Sequence, residues 1–271
     1  AYEDRMIQLA DDYSRDEVAV VAISSNHPPA VRLDELGYSD LGDSFEDMQI
    51  RAEDMGYNFP YLYDGDTQKT ALEYGPRATP HVFIFDEERK LRYQGRFDDT
   101  ENPYVEPGSK DTRNAINALL AGEPVPVETT KVFGCSMKWK EKVEWVKKGN
   151  EQWRATPVNL EMIDSAEVAG LAENDSENLL LINVWATWCG PCVVEFPELV
   201  KIYRMYSGRD FDMVTLSADK PGQHEKVLKF LEKQNAAFQN FHYSSTDVYS
   251  LIDALDPEWA GPLPHTLLVE P

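Results

Sequence analysis

Apolar positions follow two rhythms along the first half of the chain. From Tyr2 to Tyr13, Met6, Ile7, Leu9 and Ala10 keep a helical spacing, whereas Val18-Ala19-Val20-Val21-Ala22-Ile23 is a continuous run suited to a strand buried on both faces. His27 to Gly42, with Pro28-Pro29, Gly37 and Gly42, predicts a loop. Ser44, with Asp47 three residues on, is an acidic variant of a helix-start signature for a helix from Phe45 to Met55. Tyr61-Leu62-Tyr63 predicts a short strand and Thr67 to Tyr74 a helix stopped at Gly75. His81 to Phe85 and Leu91 to Gly95, around a turn at Asp86 to Lys90, predict a hairpin, and Thr112 to Leu120 a helix ended by Gly122 and Pro124.

Pro124-Val125-Pro126-Val127 then predicts an extended linker, and Lys138 to Trp153 a basic, tryptophan-bearing connecting helix. A second alternation opens at Pro157-Val158-Asn159-Leu160, with a helix around Ala166 to Leu171 and a buried strand from Leu179 to Trp185. Helix Val193 to Tyr206, strand Phe211 to Leu216, helix His224 to Gln234, strand Phe241 to Tyr243, helix Asp247 to Leu255 and strand His265 to Val269 complete it. Such alternation predicts an α/β protein, a mixed sheet flanked by helices in each of two domains, and 271 residues suit that number. The expected division is a domain over 1–127, a linker with a helix over 128–155 and a second domain over 156–271. Thr79-Pro80-His81-Val82-Phe83-Ile84-Phe85-Asp86 and Leu263-Pro264-His265-Thr266-Leu267-Leu268-Val269-Glu270 form a weak internal repeat, a Pro-His step into an apolar strand closed by an acidic residue.

Charge narrows the partners. A formal net charge of −22 repels nucleic acid and anionic lipid and otherwise reads as a solvated acidic surface. No window approaches the roughly 18 consecutive apolar residues of a membrane span, and Ala1-Tyr2-Glu3-Asp4-Arg5 has neither the basic start nor the apolar stretch of a secretion signal. Three cysteines are too few for a disulfide-stapled scaffold. Redox chemistry accounts for them better.

Cys189 and Cys192 are separated by two residues at a strand-to-helix junction. Amides at a helix N-terminus stabilise negative charge, so the first thiol ionises more readily than a free cysteine of pKa about 8.5. Cys189 is thus the expected nucleophile, Cys192, in the first helical turn, the resolving thiol, and Pro191 fits that turn because it has no amide hydrogen to leave unsatisfied. Zinc is the competing reading; it needs two further ligands at close spacing, and His224 and His242 are isolated in sequence, so no metal site is expected. Glu195, three residues after Cys192, shares its helix face. Trp185 and Phe196 are expected core residues.

The segment Val184-Trp185-Ala186-Thr187-Trp188-Cys189-Gly190-Pro191-Cys192-Val193-Val194-Glu195-Phe196-Pro197 resembles the active-site segment of TlpA-like thioredoxins, a group that includes extracytoplasmic reductases of cytochrome maturation. The resemblance implies a thioredoxin-like fold, a Trp188 that covers the dithiol, a helix bent at Pro197, Pro264 in the cis-proline loop, and Glu195 as proton acceptor for the resolving thiol. Thioredoxin itself uses a buried aspartate where this chain has Asn183. The Gly190-Pro191 pair matches thioredoxin, which favours reduction of disulfides over oxidation. Protein disulfides as substrates, an upstream thiol reductant as partner, no cofactor and an extracytoplasmic setting follow from the same resemblance.

From Tyr2 to Trp139 the chain resembles the peroxiredoxin-like (AhpC/TSA-type redoxin) branch of the thioredoxin fold. The likeness is carried by Val20 to Asn26, Asn58 to Asp64, Thr79-Pro80-His81, Tyr93 to Asp99 and Phe133 to Trp139. It implies a cis Pro80, and a first strand and reactive cysteines upstream of Ala1. It likewise implies a final strand and helix beyond Pro271 in the second domain. Three functional readings stay open: a protein disulfide reductase, a peroxide-reducing pair with the second domain as reductant, and a first domain that only docks clients. Cys135 reads either as an accessory thiol or, the favoured reading, as a small buried apolar side chain. His81 and His265, each after the loop proline, read as neutral histidines entering strands.

Overall fold

Leu179–Trp185 carries seven residues with apolar side chains at every position but one, and a run without alternation suits only a strand covered on both faces. In the computed structural model, which describes residues 2–16, 18–36 and 41–271, this strand is β6 of the protein and is buried from its second residue to its last. Two compact units divide at Val146/Lys147, within the stretch expected to link domains, with the short stretch at 32–36 grouped with the second.

The first unit contains α1 (Glu3–Asp12), β1 (Ala22–Ser24), α2 (Phe45–Asp54), β2 (Tyr61–Tyr63), α3 (Lys69–Tyr74), β3 (Val82–Phe85), β4 (Leu91–Gly95) and α4 (Asp111–Leu120). Ser44 caps α2 through the Asp47 amide in a capping box, as its sequence predicts. Gly75 ends α3 in the left-handed region at φ 63°. Among the described residues the strands pair as a parallel β1–β2 and an antiparallel β3–β4. The strand expected from Val18 to Ile23 is corrected: only Ala22–Ser24 is strand, and Val21 and Ile23 are 50% and 40% exposed. Exposed Ala19, Val21 and Ile23 alternate with half-buried neighbours, so the apolar run is covered on one face and open on the other. Residues 37–40 of the predicted loop lie outside the described residues.

The stretch expected as an extended linker carries contacts of its own. Val125 is buried against Tyr93 and Ala115, and Thr129 bridges to Gln94 of β4, so the stretch after α4 packs on the first unit. The apolar side chain between two prolines explains this better than the prolines alone.

The second unit follows α5 (Val143–Ala155), whose first residues belong to the first unit, with β5 (Glu161–Ile163), α6 (Ser165–Glu173), β6, α7 (Gly190–Tyr206), β7 (Phe211–Ser217), α8 (His224–Gln234), β8 (Gln239–Tyr243), α9 (Val248–Leu255) and β9 (His265–Val269). The five strands form one mixed sheet in the order β5-β8-β7-β6-β9, parallel except for β9, which runs antiparallel to β6. Alternation along β6 sends Leu181 and Trp185 into a core shared with Phe196 and Val200 of α7, and Leu180, Ile182 and Val184 into a core shared with Val168 of α6 and Leu251 of α9. Trp185 and Phe196 are fully buried, with ring centroids 4.7 Å apart. β5 is a strand the pattern did not predict: Glu161 and Met162 are exposed and only Ile163 is buried, too short an apolar signal to read.

Candidate active site

The chain leaves β6 at Trp185 and enters α7 at Gly190, so four residues make the junction. Cys189 is the N-cap of α7, in an extended conformation, and its Sγ accepts from the Cys192 amide at 3.3 Å. Pro191 lies in the first turn, where no intrahelical acceptor awaits an amide hydrogen. Cys189 and Cys192 form a disulfide with their Cα atoms 5.3 Å apart. Cys189 retains 6% exposure and Cys192 none. The tip of the junction is open: Gly190 and Pro191 are exposed, and Trp188 is 65% exposed.

Glu195 is half-buried on α7, one turn beyond Cys192. Its Oε1 accepts from Asn183 Nδ2 at 3.2 Å, and the same nitrogen donates to Thr266 Oγ1 at 3.0 Å. Asn183 sits on the α7 side of β6 because it alternates with Leu181 and Trp185. Thr266 reaches it because β9 pairs antiparallel with β6, Asn183 opposite Thr266 and Val184 opposite His265. That register brings Pro264, whose peptide bond with Leu263 is cis, to the end of β6 from which the junction departs. Leu263 packs on the core that contains both cysteines. Trp259 stacks on His265 with centroids 4.6 Å apart and donates from Nε1 to the Pro262 carbonyl at 2.8 Å, while His265 Nε2 lies 3.1 Å from the Asp256 carboxylate.

Comparison with known proteins finds relatives over parts of the chain. Residues 155–271 match the AhpC/TSA family. The thiol-disulfide oxidoreductase ResA of Oceanobacillus iheyensis is 29% identical over 34% of this chain and 44% of its own length. The chain thus spans about half the length of the curated relatives it matches. Among solved structures, an uncharacterized conserved protein from Geobacillus kaustophilus is 40% identical over 51% of this chain and 69% of its own, with a TM-score of 0.43. A putative thiol-disulfide oxidoreductase from Bacteroides vulgatus is 28% identical over 38% of this chain and 60% of its own, with a TM-score of 0.29.

The AhpC/TSA-matching region, a thioredoxin-like domain, brings together Trp188, Cys189, Gly190, Pro191 and Cys192 on one junction, with Glu195 on the same helix. It also contains supports that the sequence reading missed. Asp219, 1% exposed after β7, accepts from the Thr187 amide at 2.7 Å, from the Thr187 hydroxyl and from Ser217 Oγ at 3.0 Å, and so fixes the middle of the junction. The backbone carbonyl of Asp219 accepts from His242 Nε2 at 3.0 Å, and His242 Nδ1 lies 3.2 Å from His224 Nδ1. Burial holds the His242 pKa below its ordinary value. The two histidines that sequence spacing left isolated therefore face each other. Ser217-Ala218-Asp219 at the end of an apolar strand was the available signal, since polar residues there need partners. Among the described residues no group of three or more His, Cys, Asp or Glu is placed to hold a metal ion.

Cys135 lies outside that domain, and the burial favoured for it is corrected: it is exposed. Its backbone pairs with Thr79 in both directions, at 2.8 and 3.1 Å, immediately before the cis Thr79–Pro80 bond. Gly134 permits this approach, because at φ 131° a Cβ there would stand 2.2 Å from the Thr79 carbonyl oxygen. The backbone is engaged and the thiol faces outward. His81 accepts at Nδ1 from the Arg77 amide at 3.2 Å, and burial, with the Arg77 charge, lowers its pKa.

Proposed function

We propose that this protein is a thiol:disulfide oxidoreductase that reduces protein disulfides through Cys189 and Cys192. The observation that carries the reading is the Cys189–Cys192 disulfide at the N-terminus of α7, with only Cys189 reachable from solvent. In the reduced state the helix amides favour the Cys189 thiolate. This thiolate attacks a client disulfide, one client sulfur leaves and takes a proton, and a mixed disulfide remains on Cys189. Glu195 then accepts the Cys192 proton, the Cys192 thiolate attacks Cys189 Sγ, and the second client sulfur leaves as a thiol. An upstream dithiol then reduces the Cys189–Cys192 disulfide back to two thiols and itself leaves as a disulfide. Trp188, Gly190, Pro191 and Pro264 frame the surface on which the client lies. The names of the ResA relatives support the reaction class, and the likeness to TlpA-like thioredoxins supports an extracytoplasmic setting. The first unit, on its resemblance to peroxiredoxin-like redoxins, is read as a second thioredoxin-fold domain.

Turnover of insulin disulfides with dithiothreitol as reductant tests the proposal. Cys189→Ser and Cys192→Ser each lower it at least about 100-fold, and Cys192→Ser accumulates client adducts at Cys189. Unchanged turnover in both variants would overturn the reading.

A further inference from the structure

Asn183 is the one polar side chain of β6 and is fully buried. A buried amide in an apolar setting is costly unless its hydrogen bonds are met, so its partners indicate what it is there for. Its Nδ2 donates to Glu195 Oε1 and Thr266 Oγ1, while its Oδ1 has no partner among the described residues. The three residues come from the strand that feeds the junction, the helix that carries Cys192, and the strand entered from Pro264.

We infer that Asn183 is a positioning residue for the resolving step: it anchors the Glu195 carboxyl beside the Cys192 turn and suits both of its protonation states. This rests on the reading of Glu195 as proton acceptor. Before transfer, the Asn183 N–H is donated to the carboxylate. Once the Cys192 S–H has given its proton to Glu195, Oδ1 is open to accept from the carboxylic acid. The new thiolate displaces the client sulfur from Cys189 Sγ, and that sulfur takes the proton from Glu195, which returns as carboxylate. An aspartate at 183 has no N–H to donate at neutral pH and would set two carboxyls against each other, so that they share a proton. Through Thr266 the same amide ties the proton acceptor to the strand that follows the cis-proline loop.

The test uses the full chain in a Cys135→Ser background, because Cys135 is exposed and would react with the probe. Reduced protein is mixed with 5,5′-dithiobis(2-nitrobenzoate), and the second release of nitrothiobenzoate, which reports resolution by Cys192, is followed from pH 5 to 9. Asn183→Ala slows that phase roughly 10-fold or more, the equivalent of one hydrogen bond to a charged group. Asn183→Asp moves its acidic limb to higher pH. In a Glu195→Gln background, Asn183→Ala produces no further slowing, since both act on one step. Thr266→Val, at an exposed position where folding is not at risk, slows the phase in the same direction and also has no effect beside Glu195→Gln. Unfolding midpoints are measured in parallel to separate damage to the fold. Equal slowing by Asn183→Ala in both backgrounds, or an unmoved pH profile in Asn183→Asp, overturns the inference while leaving the function intact. Glu195→Gln resolving at the wild-type rate overturns the proton-acceptor role and the inference with it.

Discussion

Pro80-His81 leads into β3 in the first unit and Pro264-His265 into β9 in the second, yet the two steps have different neighbours. β9 lies along β6, the strand that delivers Cys189, and its histidine stacks on Trp259. β3 pairs with β4, and the residue before its cis-proline pairs with exposed Cys135. The cores differ in the same sense: the second unit covers β6 from both sides, while the first has smaller clusters around Tyr2, Leu9 and Ile116 and around Tyr93 and Ala115. A similar local sequence thus enters two settings, and in the second unit it lies beside a fully covered strand that leads into a cysteine-capped helix.

Core substitutions should expose the largest contrast. Trp185→Ala, at a fully buried site between Phe196 and Phe230, costs about 3–5 kcal/mol and lowers the denaturant midpoint of the second unit. Tyr93→Phe in the first unit removes hydrogen bonds to the Arg96 carbonyl and Thr130 Oγ1 and costs about 1–2 kcal/mol. Equal losses would mean that the two cores are more alike than their clusters indicate. Fluorescence and hydrogen exchange, followed for each unit, separate the two transitions.

The buried histidines give a smaller contrast, in pH. Burial keeps the folded His242 pKa below its ordinary 6.5, so the unfolded chain takes up that proton first. The His242 contribution to stability is complete above about pH 6.5 and is lost as pH falls through the lower folded value. His242→Gln should flatten this slope in the second unit. His81 is shifted the same way but is only partly buried, so His81→Gln should change the first unit's slope less. Midpoints measured from pH 7.5 down to 5 decide it, and a steeper slope in the His242→Gln variant would contradict the assignment.

The smallest effect belongs to Cys135. Cys135→Ser should leave stability within about 0.5 kcal/mol and leave insulin reduction unchanged, and iodoacetamide should label Cys135 in the native oxidised protein. A large loss of turnover would join the two units' chemistry and break the contrast between them.

Much of the second unit was legible because its elements are long and strongly apolar. The bounds of β6, α8 and β9 follow directly from the hydrophobic pattern, and the Cys189–Cys192 spacing marks the candidate site. In the first unit Ser44 marked its helix start, whereas the equivalent box at Asp164 and Glu167 went unread because no long apolar run follows it. The Glu195–Asn183–Thr266 contact was illegible for another reason. Asn183 lies 12 residues from Glu195 and 83 from Thr266, so the triad exists only through the register of β6 with β9. Asp219 is similar, since it meets Thr187 only because β7 lies beside β6.

The unequal burial of the two sulfurs has a kinetic consequence. Cys192 is fully enclosed while Cys189 keeps a small opening, so on the proposed reading client and upstream reductant must dock at the same sulfur in turn. The protein then behaves as a one-port electron carrier with ping-pong kinetics. An excess of either partner occupies the port in the wrong redox state and slows the cycle.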